Sequence, residues 1–466
     1  MGRTITIDPV TRIEGHARVE IELDDNNKVT NASFQVLDFR GFESFLKGMQ
    51  VETMPTITTR ICGTCPQAHH LASARTVDKV FGVKIPRAAE LQRIALNMGS
   101  IIHSHGVHFF AMAGPDLFMG VDADPAERNI VGLMKANPDV AKKALRLRTI
   151  GALVTEAIGG RPTHPVSFVP GGVAEPLSKE KREALRKFTA EGLELGKELL
   201  DVSNAVLAGQ PELIQSLPLE TYYMGTVNDG VLDLYQGDIR LRSPDGKTDL
   251  DFSEDDWRDY LYEEGQSNSY AKYVFCRTPK GGVDYRVGPL ARLNVCDRME
   301  TPAAQAALEE FREVGGFPCH QTVMFHHARL VELLYALEKL SMCVEDDEIG
   351  SDVVRTPIEG PPRNATAHVE AQRGTLIHDY EVDSEGIVTK TNLIIATQQN
   401  ASAIDETLGL SVAHYIDKKD EELLNGIEFG IRCYDPCLSC ATHRVGDMKL
   451  EVVIQKDGKT LREARR

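Results

Sequence analysis

The chain has 466 residues, 42% of them hydrophobic and 26% charged, the make-up of an ordinary globular protein with a large core and more than one packed layer. Its formal net charge of −17 excludes broad electrostatic binding to nucleic acid or to an anionic membrane. No apolar run is long enough to cross a bilayer, and "MGRTITIDPVTRIEGH" lacks the sections of a secretory signal, so a cytoplasmic chain with no membrane span is expected.

In chain order, "TITI", "ARVEIELD" and "VTNASFQVL" alternate apolar and polar residues around the turn "DDNNK", which predicts a β region over residues 1–45. From Pro86 the period changes. Leu91, Ile94, Ala95, Met98, Ile101, Ile102 and Phe109 recur at helical spacing. Further helices are predicted over 140–157, 178–208 and 302–342, the last opened by Thr301 as N-cap and Pro302 at the first helical position. Residues 217–300 read as an irregular elaboration, with a hairpin turning at Pro244-Asp245-Gly246 and a short helix capped by Ser253. Strands around Ser384-Glu385-Gly386 follow. The fold class is α+β, mainly α: a long central helical bundle with small β regions from both ends.

Nine cysteines, an odd number over so long a chain, do not make a disulfide framework. Cys276, Cys296, Cys319, Cys343 and Cys433 stand alone and read as small buried apolar residues. The other four form two CxxC pairs, Cys62/Cys65 in "TRICGTCPQAHH" and Cys437/Cys440 in "YDPCLSCATH". One pair is a weak signal, because redox loops, zinc knuckles and iron–sulfur sites all use it. Four thiolates suit zinc, an iron–sulfur cluster or a late transition metal such as nickel. A structural zinc knuckle draws its pairs from one short segment, whereas here most of the chain separates Cys65 from Cys437. The completed fold must therefore assemble the site, at little cost in loop entropy once the core has formed. Ionisable residues crowd these motifs: His69, Asp435 and His443 beside the cysteines, Glu14 in "TRIEGH" and Glu43 in "FRGFE". A structural metal has no use for them; a catalytic metal that must move protons has.

Together, "RICGTCPQAHH" and "DPCLSCATH" resemble the large, catalytic subunit of nickel–iron hydrogenases. "DPVTRIEGH", "FRGFE", "THPVSFVPGG" and "AQRGTL" match further segments of that family in its order, from about residue 4 to His443 and most weakly over 217–300. The N-terminal motifs look most like the soluble, cofactor-coupled group. Within it, the methyl-viologen-reducing type linked to heterodisulfide reductase is the preferred match and the nicotinamide-reducing type the alternative.

The resemblance implies one hydrogenase domain over 1–443 and a tail, 444–466, of the kind a maturation protease removes; its hairpin pattern about Lys456-Asp457-Gly458 gives a retained structural tail as the alternative. It implies reversible heterolytic cleavage of dihydrogen at a Ni-Fe centre whose iron carries carbon monoxide and cyanide. Cys62 and Cys437 would bind nickel terminally, and Cys65 and Cys440 would bridge to iron. Cys437 would take the first proton and Glu14 would relay it. Asp116, Arg373 and Asp435 match a charged canopy over the metals, with the arginine held between carboxylates. His69 matches a hydrogen-bond donor to a bridging thiolate. Glu43 and His443 match ligands of a separate magnesium or iron near the C-terminus. His103, His105, His108, His326 and His327 read as helix-face or core residues. Gln372 departs from the proline that many relatives carry before the canopy arginine. No remaining cysteine set can hold an iron–sulfur cluster in this chain, so the resemblance implies a partner, an iron–sulfur small subunit, with further electron-transfer subunits beyond it. A non-catalytic scaffold of the respiratory-complex type shares the fold but lacks the metal cysteines, which this chain retains. A zinc or iron–sulfur protein with coincidental motifs is the other rival, separable by nickel content.

Overall fold

The computed structural model of the chain describes residues 3–38 and 41–442, together with the main chain of 451–456 and 459–465. Ala17, Val19, Ile21 and Leu23 are buried and alternate with more exposed neighbours, which makes Ala17–Leu23 the centre of a three-stranded antiparallel sheet between Arg3–Ile7 and Val29–Val36. Asp24 closes the predicted turn by accepting from the amides of Asn26 and Lys28 at 2.8 and 2.9 Å.

The bundle is built from the helices Arg87–Val107, Pro138–Gly159, Lys179–Ala208 and Phe325–Glu345. Ser178 caps the third, its Oγ accepting from the Lys181 amide at 3.3 Å. Two predicted helices are corrected. The helix expected over 302–342 is two, Pro302–Gly315 and Phe325–Glu345, because Gly316 takes φ 77° and Pro318 cannot donate an amide hydrogen. Thr301 supplies no side-chain cap there; the Glu338 carboxylate accepts from the Ala303 and Ala304 amides instead, at 3.2 and 2.9 Å. The helix from Pro86 does not run straight to its end. Pro115 cannot bond back to Ala111, and the chain widens into a π-helical turn over His108–Ala113 before Gly114–Met119.

Residues 217–300 are more regular than expected. They hold a five-stranded sheet centred on Tyr222–Asn228, a three-stranded sheet centred on Tyr273–Thr278, and the short helix Pro289–Val295. The hairpin at 244–246 and the cap by Ser253, whose Oγ accepts from the Asp255 amide at 3.2 Å, are as expected. This section has its own apolar cluster, including Met224, Leu241, Phe252, Trp257 and Tyr285, which reaches Ile377 and Ile394 of the C-terminal sheet. That sheet orders Ala365–Ala371, Gly374–Val382 and Val388–Ile394 as consecutive antiparallel strands.

Helices Pro66–Val80, Ala401–Tyr415 and Asp420–Tyr434 complete the frame. One apolar core runs from the N-terminal sheet through the bundle and includes Cys62, Cys65, Cys437 and Cys440. The five isolated cysteines are buried too, and burial pushes each of their thiols up to about 12. Among the described residues no helix is long and apolar enough to cross a membrane.

Candidate metal centre

Each cysteine pair is shaped by a chain break. Cys62 is extended, with φ −142°, as it leaves a 3₁₀ turn over Thr58–Ile61, and Cys65 directly precedes the Pro66–Val80 helix, with Pro66 at its first position. One helical turn on, His69 lies on the same side as Cys65. At the other end, Asp435 ends the Asp420–Tyr434 helix in the left-handed region at φ 53°, a conformation that a short polar side chain tolerates. Pro436 prevents the helix from resuming, and Cys437 and Cys440 sit at the start and within the short turn Leu438–Ala441.

The two ends meet at the sulfurs. Cys62 and Cys437 Sγ are 3.3 Å apart, Cys65 and Cys440 3.2 Å, and Cys437 and Cys440 3.1 Å. All four are buried and lie within 4.8 Å of one another without forming a disulfide. Metal–thiolate bonds of about 2.3 Å place neighbouring sulfurs roughly 3.3–3.8 Å apart, close to the spacing found here, so the four thiols could serve one metal ion together. Its thiols share protons: hydrogen bonds from Cys437 and Cys440 bring Cys62 and Cys65 below the ordinary thiol range, while burial pushes Cys437 and Cys440 above it. Metal binding would replace those protons.

Glu14 sits on the cage. Its main chain bridges to Cys437, and its carbonyl accepts from the Leu438 amide at 3.1 Å. Gly15 makes the approach possible: it has φ 86°, and a Cβ there would lie 2.7 Å from Leu438 Cβ. The Glu14 carboxylate accepts from Cys437 Sγ at 3.1 Å and from the Ser439 amide at 3.0 Å, and Ser439 Oγ donates to its other oxygen.

His69 Nε2 lies 3.4 Å from Cys440 Sγ. Behind it a buried chain continues from His69 Nδ1 to His378 Nε2 at 3.1 Å, from His378 Nδ1 to the Tyr380 hydroxyl at 2.7 Å, and on to Ser73 Oγ at 2.9 Å. Burial and the neighbouring His69 hold His378 well below the ordinary imidazole range, so it is neutral. Such a chain fixes the ring that faces the sulfur.

Arg373 occupies the two-residue turn between Ala365–Ala371 and Gly374–Val382. Its Nε donates to the Asp435 carbonyl at 2.6 Å and its Nη2 to Asp435 Oδ1 at 3.2 Å, while Nη1 is buried with no hydrogen-bond partner among the described residues. Burial pushes the Asp435 carboxyl up, but Arg373 and His108 outweigh that and hold it below its usual range. Arg373 lines two cavities. One, of about 420 Å³, is lined also by Thr64, His103, His108, Arg148 and Asp435; the other, of about 20 Å³, lies against Cys65, Cys440, Ala68, Leu376 and Thr397.

Two expectations are revised. Among the described residues the canopy arginine pairs with Asp435 and with no second carboxylate. Asp116 instead accepts from Arg12 at 2.7 Å and Arg432 at 3.0 Å, with Arg128 at 3.3 Å, and so fastens the segment leading to Glu14. His108, read as a helix-face or core residue, is buried and has Nδ1 3.0 Å from Asp435 Oδ1, so it also stands beside the canopy carboxylate. Glu43 accepts from the Leu393 amide at 3.0 Å; His443, its expected fellow ligand, lies outside the described residues. Ser439, Thr397, His378 and Tyr380 were not singled out in the sequence, and His108 was given no part in the site. Only the strand alternation of His378 and Tyr380 could have flagged any of them.

A family model described as nickel-dependent hydrogenase matches residues 40–143 and 224–443, and one described as HoxL-like matches 4–39. This chain belongs to the nickel-dependent hydrogenase family. The hydrogenase is 44% identical over 412 residues to the vhu-type F420-non-reducing hydrogenase chain of Methanococcus voltae, covering 88% of this chain and 97% of that protein. It is 40% identical over 454 residues, 95% of each chain, to the vhc-type counterpart in the same organism. Among solved structures, it superimposes on an NAD+-reducing nickel–iron hydrogenase in the H2-reduced state with a TM-score of 0.88 and 35% identity, over 95% of this chain and 99% of that one. The hydrogenase is an oxidoreductase acting on dihydrogen. Between residues 40 and 443 the nickel-dependent family model leaves 144–223 unmatched and matches 224–300.

Proposed function

We propose that Cys62, Cys65, Cys437 and Cys440 hold a nickel–iron centre, with Cys62 and Cys437 terminal on nickel and Cys65 and Cys440 bridging to an iron that carries carbon monoxide and cyanide. One observation carries the reading: four buried thiols lie within 4.8 Å of one another with a glutamate hydrogen-bonded directly to one of them. The small cavity beside Cys65 and Cys440 supports diatomic ligands on the iron, since Ala68, Ala371, Leu376, Ile395 and Ala396 give it apolar walls and Arg373 and Thr397 are among the polar groups that could orient them. When bound, the centre supplies a soft, electron-rich site at which dihydrogen is polarised and split.

The chain's own residues then handle the proton. Cys437 and Glu14 are already within hydrogen-bond reach at 3.1 Å, which is what a first acceptor and its relay need. The Ser439 amide and hydroxyl keep the carboxylate turned to the sulfur. His69 Nε2 faces Cys440 Sγ at 3.4 Å, within reach to stabilise a thiolate there when that nitrogen carries a proton. Arg373, fixed by Asp435, presents a permanent positive charge over the site. Asp116 belongs to this set as the anchor of the Arg12–Glu14 segment.

We assign Glu43 and His443 to a second, harder cation, magnesium or iron, which Glu43's anchoring on the Leu393 main chain supports. Residues 1–443 form the catalytic domain, a reading supported by the continuous core, and 444–466 are removed by a maturation protease. Electrons pass to an iron–sulfur small subunit, then to a soluble cytoplasmic acceptor system of heterodisulfide-reductase or ferredoxin type, in keeping with the F420-non-reducing relatives. The similarity to an NAD+-reducing enzyme keeps nicotinamide reduction as the second reading of the acceptor.

An infrared spectrum of the anaerobically purified complex tests the centre. Bands of metal-bound carbon monoxide and cyanide are expected, and their absence from nickel-replete protein would overturn the assignment. Hydrogen-dependent reduction of ferredoxin with heterodisulfide, set against NAD+, decides the acceptor. Mass spectrometry of the mature protein should give a chain ending at His443.

A further inference from the structure

We propose that Arg292 is a positioning residue for Arg373, clamping the hairpin tip that carries it. The inference rests on the reading of Arg373 as part of the metal centre.

Arg292 lies on the Pro289–Val295 helix, in a section with no recognisable motif, and is fully buried. Its guanidinium is shared among three segments. Nε and Nη2 donate in parallel to the two oxygens of Glu332 at 2.6 Å each. Nη1 donates to Glu370 Oε2 at 2.8 Å and to the Ala371 carbonyl at 2.7 Å, and Nη2 reaches the Gln372 carbonyl at a longer 3.4 Å. Those two carbonyls immediately precede Arg373. The partners are themselves held: Glu332 by His105 at 2.9 Å, and Glu370 by Thr226 at 2.8 Å and Thr375 at 2.7 Å.

The packing leaves the tip no slack. Gly288, which opens the Arg292 helix with φ 99°, would put a Cβ 2.7 Å from the Arg373 carbonyl, and a Cβ on Gly374, at φ 138°, would meet Val287 Cγ2 at 2.5 Å. Main chain therefore lies against main chain directly beneath Arg373. Ala371 and Gln372 also line the small cavity beside Cys65 and Cys440, so a shift of the tip moves a wall of the site as well as the guanidinium. A buried ion cluster is no better for stability than apolar packing of the same volume. What this one supplies is a fixed planar fork that lysine, a point charge, cannot reproduce.

The test uses the complete purified complex carrying Arg292→Lys or Glu370→Gln, each alone and combined with Arg373→Lys. With the clamp loosened and nickel and iron retained, amides of residues 371–376 should exchange with deuterium about tenfold faster, the cyanide infrared bands should shift, and kcat should fall about tenfold, since displacements of under 1 Å carry losses of that order. In the Arg373→Lys background, Arg292→Lys should cost less than about twofold more, because residues acting through one another are not additive. Unchanged exchange and bands, or a loss that multiplies in full with that of Arg373→Lys, would overturn the proposal. So would loss of nickel from both variants, which would assign Arg292 to folding alone. If wild-type protein lacks cyanide bands, the nickel–iron reading fails, while exchange at 371–376 still decides whether Arg292 clamps the tip.

Discussion

The two walls of the thiol cage are held in different ways. Glu14 reaches Cys437 in one hydrogen bond, and the same short turn that carries Cys437 and Cys440 also supplies Ser439 to orient it. Arg373 touches no thiol in a hydrogen bond. Asp435 aims it from above, and the buried Arg292–Glu332–Glu370 set holds its main chain from behind. A proton relay has to be close and oriented, which two chain segments can manage; a fixed positive charge has to be immobile, which takes a network.

The largest test of this contrast removes what both walls share. Cys65→Ser or Cys440→Ser should bring nickel content and hydrogen turnover to background, because a neutral hydroxyl is a poor substitute for a thiolate on a soft metal; metal analysis with a hydrogen-uptake assay checks it. Next, Glu14→Gln should lower turnover by about 10³-fold or more with nickel and iron unchanged, as expected when a proton acceptor in direct contact is lost. Loss of metal in that variant would give Glu14 a structural part instead. Arg373→Lys should cost about 10²-fold in kcat, the scale of one preorganised electrostatic contact, with the cyanide bands shifted. Ser439→Ala leaves the amide contact to Glu14 in place and removes one hydroxyl, so a loss of about tenfold or less is expected, near the 1–1.5 kcal/mol of a single hydrogen bond.

Acid sharpens the comparison from the network side. Burial alone would raise Glu332, but Arg292 and His105 bring it down to about 2 in the fold. Because the folded value is depressed, its contribution is complete above the unfolded carboxyl pKa of about 4.3 and is lost as pH falls from there towards about 2. Burial keeps His108 down at about 4, so the unfolded chain gains a proton on it below about 6.5, which also destabilises the fold on acidification. The melting temperature should therefore fall from about pH 6.5 downwards and steeply below about pH 4.3. Arg292→Lys should flatten the lower part of that curve.

The motifs that carry chemistry through close neighbours were legible. CxxC loops, a histidine one helical turn beyond Cys65, and "TRIEG" each place donors through short-range chain geometry. Strand alternation gave Ala17–Leu23 and the 244–246 hairpin for the same reason. The Pro66–Val80 helix escaped notice because it is buried on nearly every side and has no apolar stripe to show a period. His108 was hidden because the group it faces, Asp435, comes from a segment far along the chain. Arg292 offered no signal at all, since its partners Glu332 and Glu370 come from elements far along the chain.

By itself, then, the sequence determined which atoms can bind a metal and that two distant segments must meet to do so, since side-chain chemistry and local spacing are properties of a few adjacent residues. Only the tertiary structure decided that Glu14 rests on Cys437, that Asp116 turns away to Arg12, Arg128 and Arg432, and that Arg292 grips the carbonyls beneath Arg373. Those contacts depend on the relative placement of packed elements to within about 1 Å, and that placement is set by the whole core at once.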